Sequence, residues 1–80
     1  MRTVPGSTIR PVLTALGDVI RKRRLDVGIS QDELGHLACL YRTYIGSVER
    51  GERNLTLSSL IAICGALQLR PHELLRRAGI

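Results

Sequence analysis

Eighty residues are enough for one domain and no more, and a chain this short buries only about 60% of the surface its unfolded form exposes. Its stability therefore rests on efficient packing or on a partner. A hydrophobic content of 44%, spread along the chain, argues against a disordered polymer, while a net charge of +5 points to a polyanionic partner, either nucleic acid or an anionic membrane surface.

Residues 1–10, with Pro5, Gly6, Ser7 and Thr8, show no periodicity and read as a flexible arm, leaving 11–80 as the folded domain. Pro11 suits the first turn of a helix, and Val12, Leu13, Leu16, Val19, Ile20 and Leu25 follow at helical spacing. Arg21, Lys22 and Arg23 mark the opposite face, and Gly28 supplies the stop. Ser30-Gln31-Asp32-Glu33 is a capping box that opens a second helix, with Ile29 and Leu34 placed as a staple across it. That helix turns Leu34, Leu37 and Ala38 inward and ends near Cys39. A third helix starts around Tyr41, points Ile45 and Val48 inward and stops at Gly51. After the polar loop Glu52-Arg53-Asn54-Leu55, Thr56 caps a fourth helix with Leu57, Leu60, Ile61, Cys64 and Leu67 on its buried side. Pro71 opens a fifth helix, with Leu74 and Leu75 inside and Gly79 past its end. Five short helices and no strand-like alternation predict an all-α domain.

With no Trp or Phe and two tyrosines, the core is aliphatic. The longest apolar run, Leu60 to Leu67, is far short of the ~20 residues that cross a bilayer. The stretch Met1–Ser7 has no signal-peptide character, so the chain reads as cytoplasmic. Cys39 and Cys64 follow no ligand spacing and read as reduced, small hydrophobes; no metal or other cofactor is expected. His36 and His72 have no neighbouring nucleophile or paired ligands, so neither an enzyme nor a small-molecule substrate is indicated.

Helices two and three carry the function. A short capped helix, a brief turn and a second short helix with two inward apolar positions describe a helix-turn-helix unit, whose second helix reads base edges in the major groove. The outward start of that helix is Tyr41, Arg42, Thr43 and, one turn on, Ser47. Arg pairs bidentately with guanine, and a Thr methyl packs on that of thymine. Spacing alone equally allows an ordinary surface helix with a solvated Arg42.

The stretch Leu16–Leu75 resembles the Cro and lambda-repressor type (XRE) helix-turn-helix family. The matching residues are Arg24, Gly28-Ile29-Ser30-Gln31, Glu33-Leu34, Arg42-Thr43-Tyr44-Ile45, Val48-Glu49-Arg50-Gly51, Arg53-Asn54, Thr56-Leu57, Leu67-Gln68-Leu69, Pro71 and Glu73-Leu74-Leu75. Within that family, the run from Arg42 to Leu57 looks most like restriction-modification controller proteins, stand-alone dimers that regulate their own promoter and that of the endonuclease. The same run also occurs in unrelated regulators of the family.

The resemblance implies a five-helix lambda-repressor-like fold that binds two-fold-symmetric operator DNA as a homodimer. It implies a phosphate contact for Gln31, a base-reading face of Tyr41, Arg42, Thr43 and Ser47, and a phosphate clamp at Tyr44. Arg50, Arg53 and Asn54 match the backbone-contacting loop, and Arg24 and Glu49 match a partly buried structural ion pair. Three residues depart from the family pattern: Tyr41 replaces the usual polar cap, Cys39 the usual turn Gly, and Arg70 a common Ser. The aliphatic residues of helices four and five exceed what one core needs, so Leu55, Leu57, Ile61, Leu69 and Leu75 are expected at an isologous dimer interface. The other class that fits is an antitoxin or protein-interaction module. Gln31, Arg42, Thr43, Arg53 and Asn54 favour DNA binding over that alternative.

Overall fold

The computed structural model describes residues 6–80. It holds five helices: α1 Gly6–Val27, α2 Gln31–Ala38, α3 Arg42–Glu49, α4 Leu57–Ala66 and α5 Pro71–Arg77. Among the described residues there is no strand. α3 packs on both α1 and α2, α4 packs on α2, and α5 closes the bundle against α1 and α4.

α1 starts earlier than the sequence suggests. It takes in residues 6–10 of the expected arm, so Pro11 sits inside the helix rather than at its opening. Pro11 has no N–H, which leaves the Ser7 carbonyl without its usual partner four residues on. Both placements satisfy proline's fixed φ, which is why composition did not separate them. Residues 1–5 of that arm lie outside the described residues. Gly28 ends α1 at φ 84, and the Ile29 amide returns to the Arg24 carbonyl at 3.2 Å.

The other boundaries follow their caps. Ser30 Oγ accepts from the Glu33 amide at 3.0 Å, and the Glu33 carboxylate accepts from the Ser30 amide at 3.2 Å, completing the capping box. Thr56 Oγ1 accepts from the Ser59 amide at 3.1 Å at the start of α4. Pro71 stands in the first turn of α5.

The core is aliphatic and central: Leu16 and Ile20 from α1, Leu34 and Ala38 from α2, Ile45 and Val48 from α3. Leu60, Ile63 and Cys64 from α4, then Leu67 and Leu69, and Leu74 from α5 complete it. Each large aliphatic buried this way contributes about 1.5–3 kcal/mol relative to exposure.

Four expected inward positions face out instead. On α4 the buried set is Leu60, Ile63, Cys64 and Leu67, whereas Leu57 and Ile61 are 70% and 52% exposed. The α4 sequence is apolar at nearly every position, so two helical phases fit it and packing chooses between them. On α2 Leu37 is exposed, and on α1 Leu25 is exposed beside a buried Arg24. Leu69, expected at a dimer interface, is a core residue at 6% exposure. It follows α4 directly, and the hydrogen bond from its amide to the Cys64 carbonyl folds it back under the helix.

α1 and α3 cross closely at Gly17, where a Cβ would fall on the Val48 and Glu49 carbonyls. Any side chain there would push the C-terminal turn of α3 off α1. The far side of the bundle is fastened by Arg23, which donates to the Leu67 carbonyl from Nε at 3.0 Å and to the Gln68 carbonyl from Nη2 at 3.3 Å. These bonds satisfy carbonyls at the end of α4 that have no partner within the helix.

Candidate nucleic-acid interface

The turn between α2 and α3 is tight. Cys39 adopts φ 58 and ψ 41 as the C-cap of α2, and its amide reaches back to the Gly35 and His36 carbonyls. Leu40 N–H then donates to the Gly35 carbonyl at 2.8 Å. Gly35 is buried against this return, since a Cβ on it would strike the Leu40 carbonyl. The chain thus leaves α2 sharply enough to start α3 after three residues. Cys39 does this as a non-glycine in the left-handed region, at a cost of about 1–2 kcal/mol.

α3 shows opposite faces. Ile45, Val48 and Glu49 are buried, while Arg42 and Thr43 are exposed and Tyr41 is 85% exposed. Tyr41 is the N-cap and makes no side-chain capping bond, so its ring is free to project beside Arg42 and Thr43. These three residues form a continuous outward edge at the start of α3. An open cleft of about 480 Å³ runs beside it between α2 and α3, lined by Asp32, Glu33, His36, Leu37, Leu40, Tyr41 and Arg42.

The loop after α3 contributes a second group. The Arg53 guanidinium lies over the Tyr44 ring at 5.4 Å from its centroid, and Tyr44 is half-buried beneath it. Arg50 pairs with Glu52, Nε to Oε1 at 3.0 Å, with both side chains largely exposed. Asn54 is exposed in the same loop. The Tyr44–Arg53 stack spans nine positions and leaves no periodic signal in the sequence; it exists because Gly51 and the loop bend back over α3.

Behind this surface sits one carboxylate that serves three elements. Arg24 of α1 grips Glu49 of α3 with two parallel bonds, Nε to Oε2 at 2.7 Å and Nη2 to Oε1 at 3.0 Å. Its remaining Nη1 donates to the Ile29 carbonyl at 3.0 Å. Gln31 at the start of α2 donates from Nε2 to Glu49 Oε1 at 3.1 Å. Arg24 and Glu49 are each 8% exposed. The hydrogen bonds to Glu49 raise the Arg24 pKa, desolvation opposing them, so the guanidinium stays charged. The expected ion pair is therefore present, and it joins α1 to α3 with fork geometry.

Two expected DNA contacts, the base reader Ser47 and the phosphate contact Gln31, stand differently. Ser47 is 9% exposed, and its hydroxyl donates to the Tyr44 carbonyl at 2.7 Å, so it lies off the outward edge. A serine inside a helix readily bonds back to the preceding turn, which draws its oxygen away from solvent. The Gln31 side chain is turned toward Glu49 rather than out from the α2 N-terminus. Sequence spacing could not show this, because the partner lies eighteen positions away.

Among the described residues no group of three or more His, Cys, Asp or Glu is arranged to hold a metal ion, and no helix is long and apolar enough to cross a membrane.

A helix-turn-helix family model matches residues 20–74, which contain the whole of α2, the turn and α3. The chain belongs to the XRE-type helix-turn-helix family. It is 46% identical over 65 residues to the control protein C.SmaI of Serratia marcescens, covering 81% of this chain and 77% of that protein. It is also similar to the crystal structure of the restriction-modification controller protein C.AhdI from Aeromonas hydrophila. There the TM-score is 0.76 at 40% identity, over 78% of this chain and 94% of that one. The clp gene regulator ClgR from Corynebacterium glutamicum superposes with a TM-score of 0.82 at 28% identity, over 85% of this chain and 72% of that one. The resemblance drawn from the run Arg42–Leu57 thus agrees with independent matches in sequence and in fold.

Proposed function

We propose that this protein is a sequence-specific double-stranded DNA-binding regulator of the controller type. It binds a two-fold-symmetric operator as a homodimer and acts on its own promoter. The observation that carries this reading is the outward edge Tyr41-Arg42-Thr43 on a short helix whose rear is locked to α1 through Arg24 and Glu49. A rigid helix with an Arg and a Thr free at its N-terminal end is what major-groove readout requires.

The roles divide by position. Arg42 and Thr43 reach base edges, and Tyr41 beside them shapes which bases are accepted. Tyr44 and Arg53, stacked together, contact the phosphate backbone, with Arg50 and Asn54 alongside; such contacts fix register and carry most of the charge-driven affinity. The protein needs no cofactor, performs no catalysis and works in the bacterial cytoplasm at the nucleoid.

The dimer forms through the outer face of α4. Leu57 and Ile61, one turn apart and exposed, supply its centre, with the half-buried Leu55 and Leu75 completing the apolar set. Two α3 helices then stand about 34 Å apart, one turn of DNA.

Selection from a random duplex pool tests this reading. Enrichment of a palindrome with half-sites about 10 bp apart supports it. A pool that binds through charge alone and yields no shared sequence would reject it.

A further inference from the structure

The Gln31 side chain is half-buried and faces inward, toward the carboxylate that Arg24 already grips. Its amide donates to Glu49 Oε1, the same oxygen that Arg24 Nη2 reaches. One carboxylate thus receives α1, through Arg24, and α2, through Gln31, while belonging to the last turn of α3. The start of α2 carries two negative charges of its own, the exposed Asp32 and Glu33. Those charges favour the helix dipole and disfavour a phosphate at that end.

We infer that Gln31 is a positioning residue, which fixes the seating of α3 on α2 through the Glu49 carboxylate and so holds the reading edge in register. Arg24 fixes the carboxylate, and with it the last turn of α3, from the side of α1. The bond from Gln31 holds the same carboxylate from a second helix, α2. Gly46, one turn before Arg50, keeps the space open: a Cβ there would press on Arg50 Nη1 at 3.2 Å and approach Gln31 Oε1 at 3.6 Å. This assignment rests on the DNA-binding reading above for its consequence, but the contact itself is testable without DNA.

The test uses Gln31→Ala and Gln31→Glu in the full chain, with circular dichroism confirming that both fold. In free protein, Gln31→Glu sets a second carboxylate against Glu49. Sharing a proton relieves the repulsion, so the folded state holds a proton that the unfolded state releases above about pH 4.3. Stability then falls as pH rises from 5 to 8, and the melting temperature drops by roughly 5 °C more than in the unsubstituted protein. On DNA, Gln31→Ala lowers affinity for the selected operator about tenfold, the scale of one hydrogen bond to a charged group, with non-specific binding unchanged. Both results together support the assignment. A melting profile parallel to the unsubstituted protein overturns the contact, and an equal loss on specific and non-specific DNA marks Gln31 as a phosphate contact. A pH-dependent melt with full operator discrimination also overturns it, leaving a purely structural bond. If the unsubstituted protein selects no operator, the functional reading and the positioning role fall together, while the melting profile still decides the contact.

Discussion

Arg24 and Glu49 meet through two parallel hydrogen bonds of 2.7 and 3.0 Å, twenty-five residues apart and almost wholly out of water. This fork joins α1 to the last turn of α3. Its Coulombic gain is largely spent on desolvation, so its main effect is geometric, and removing one partner strands the other charge. Glu49→Ala is expected to destabilise the domain by about 3–5 kcal/mol. Replacing both residues with apolar side chains, Arg24→Met with Glu49→Leu, should recover much of that loss. Urea unfolding midpoints check both; a Glu49→Ala midpoint close to the unsubstituted protein's would contradict the ion pair's role.

Cys39 holds the left-handed turn between α2 and α3 without being glycine. Cys39→Gly is therefore expected to raise stability by about 1 kcal/mol, through relief of the Cβ clash. A melting temperature that falls instead would show that the exposed thiol contributes a contact worth more than the strain.

The two thiols should separate cleanly in reactivity. Cys39 is exposed, whereas Cys64 is buried, and burial raises its pKa. A thiol whose folded pKa lies above its unfolded value favours folding at lower pH, and that contribution fades as pH rises beyond about 8.5. A disulfide exchange reagent at pH 8 should label one thiol per chain at once and the second only on unfolding. Rapid labelling of both would contradict the packing of α4.

Leu57 and Ile61 leave a large apolar strip in water on α4. Leu57→Glu with Ile61→Glu should leave the helical content unchanged, because neither side chain is in the core. The same pair should convert a dimer to a monomer at micromolar concentration, as read by sedimentation. Equal masses for both forms would remove the α4 face from the interface.

Much of this architecture is legible in the sequence because its punctuation is strong. The capping box from Ser30 to Glu33, the Thr56 cap, Pro71 and the αL glycine at 28 each have a local mechanism, and each marks a boundary found in the structure. Ile45 and Val48 fix the phase of α3, which turns Thr43 outward, while Arg42 is exposed at the first position of the helix. Legibility fails where local rules are degenerate or where the partner is distant. α4 is apolar on nearly every side, so periodicity assigned Leu57 and Ile61 inward and missed Ile63. Pro11 fits a helix start or an early interior position equally well. The inward turn of Gln31 depends on a carboxylate eighteen positions away that only the folded chain brings near, whereas Ser47 bonds to a carbonyl three residues back in its own helix, a local choice that residue spacing does not announce.

In the proposed DNA complex the start of α3 reads sequence while the loop behind it holds the backbone. An anisotropy titration of the duplex immediately upstream of the protein's own reading frame, at about 0.15 M salt with excess competitor, tests it most directly when Arg42→Ala and Arg53→Ala are run beside the unsubstituted protein. Specific binding is expected, weakened by about 1–3 kcal/mol in Arg42→Ala with non-specific binding retained. Arg53→Ala should instead weaken binding to every sequence and reduce the salt slope by about one. Undiminished discrimination in Arg42→Ala would show that the start of α3 does not read the sequence.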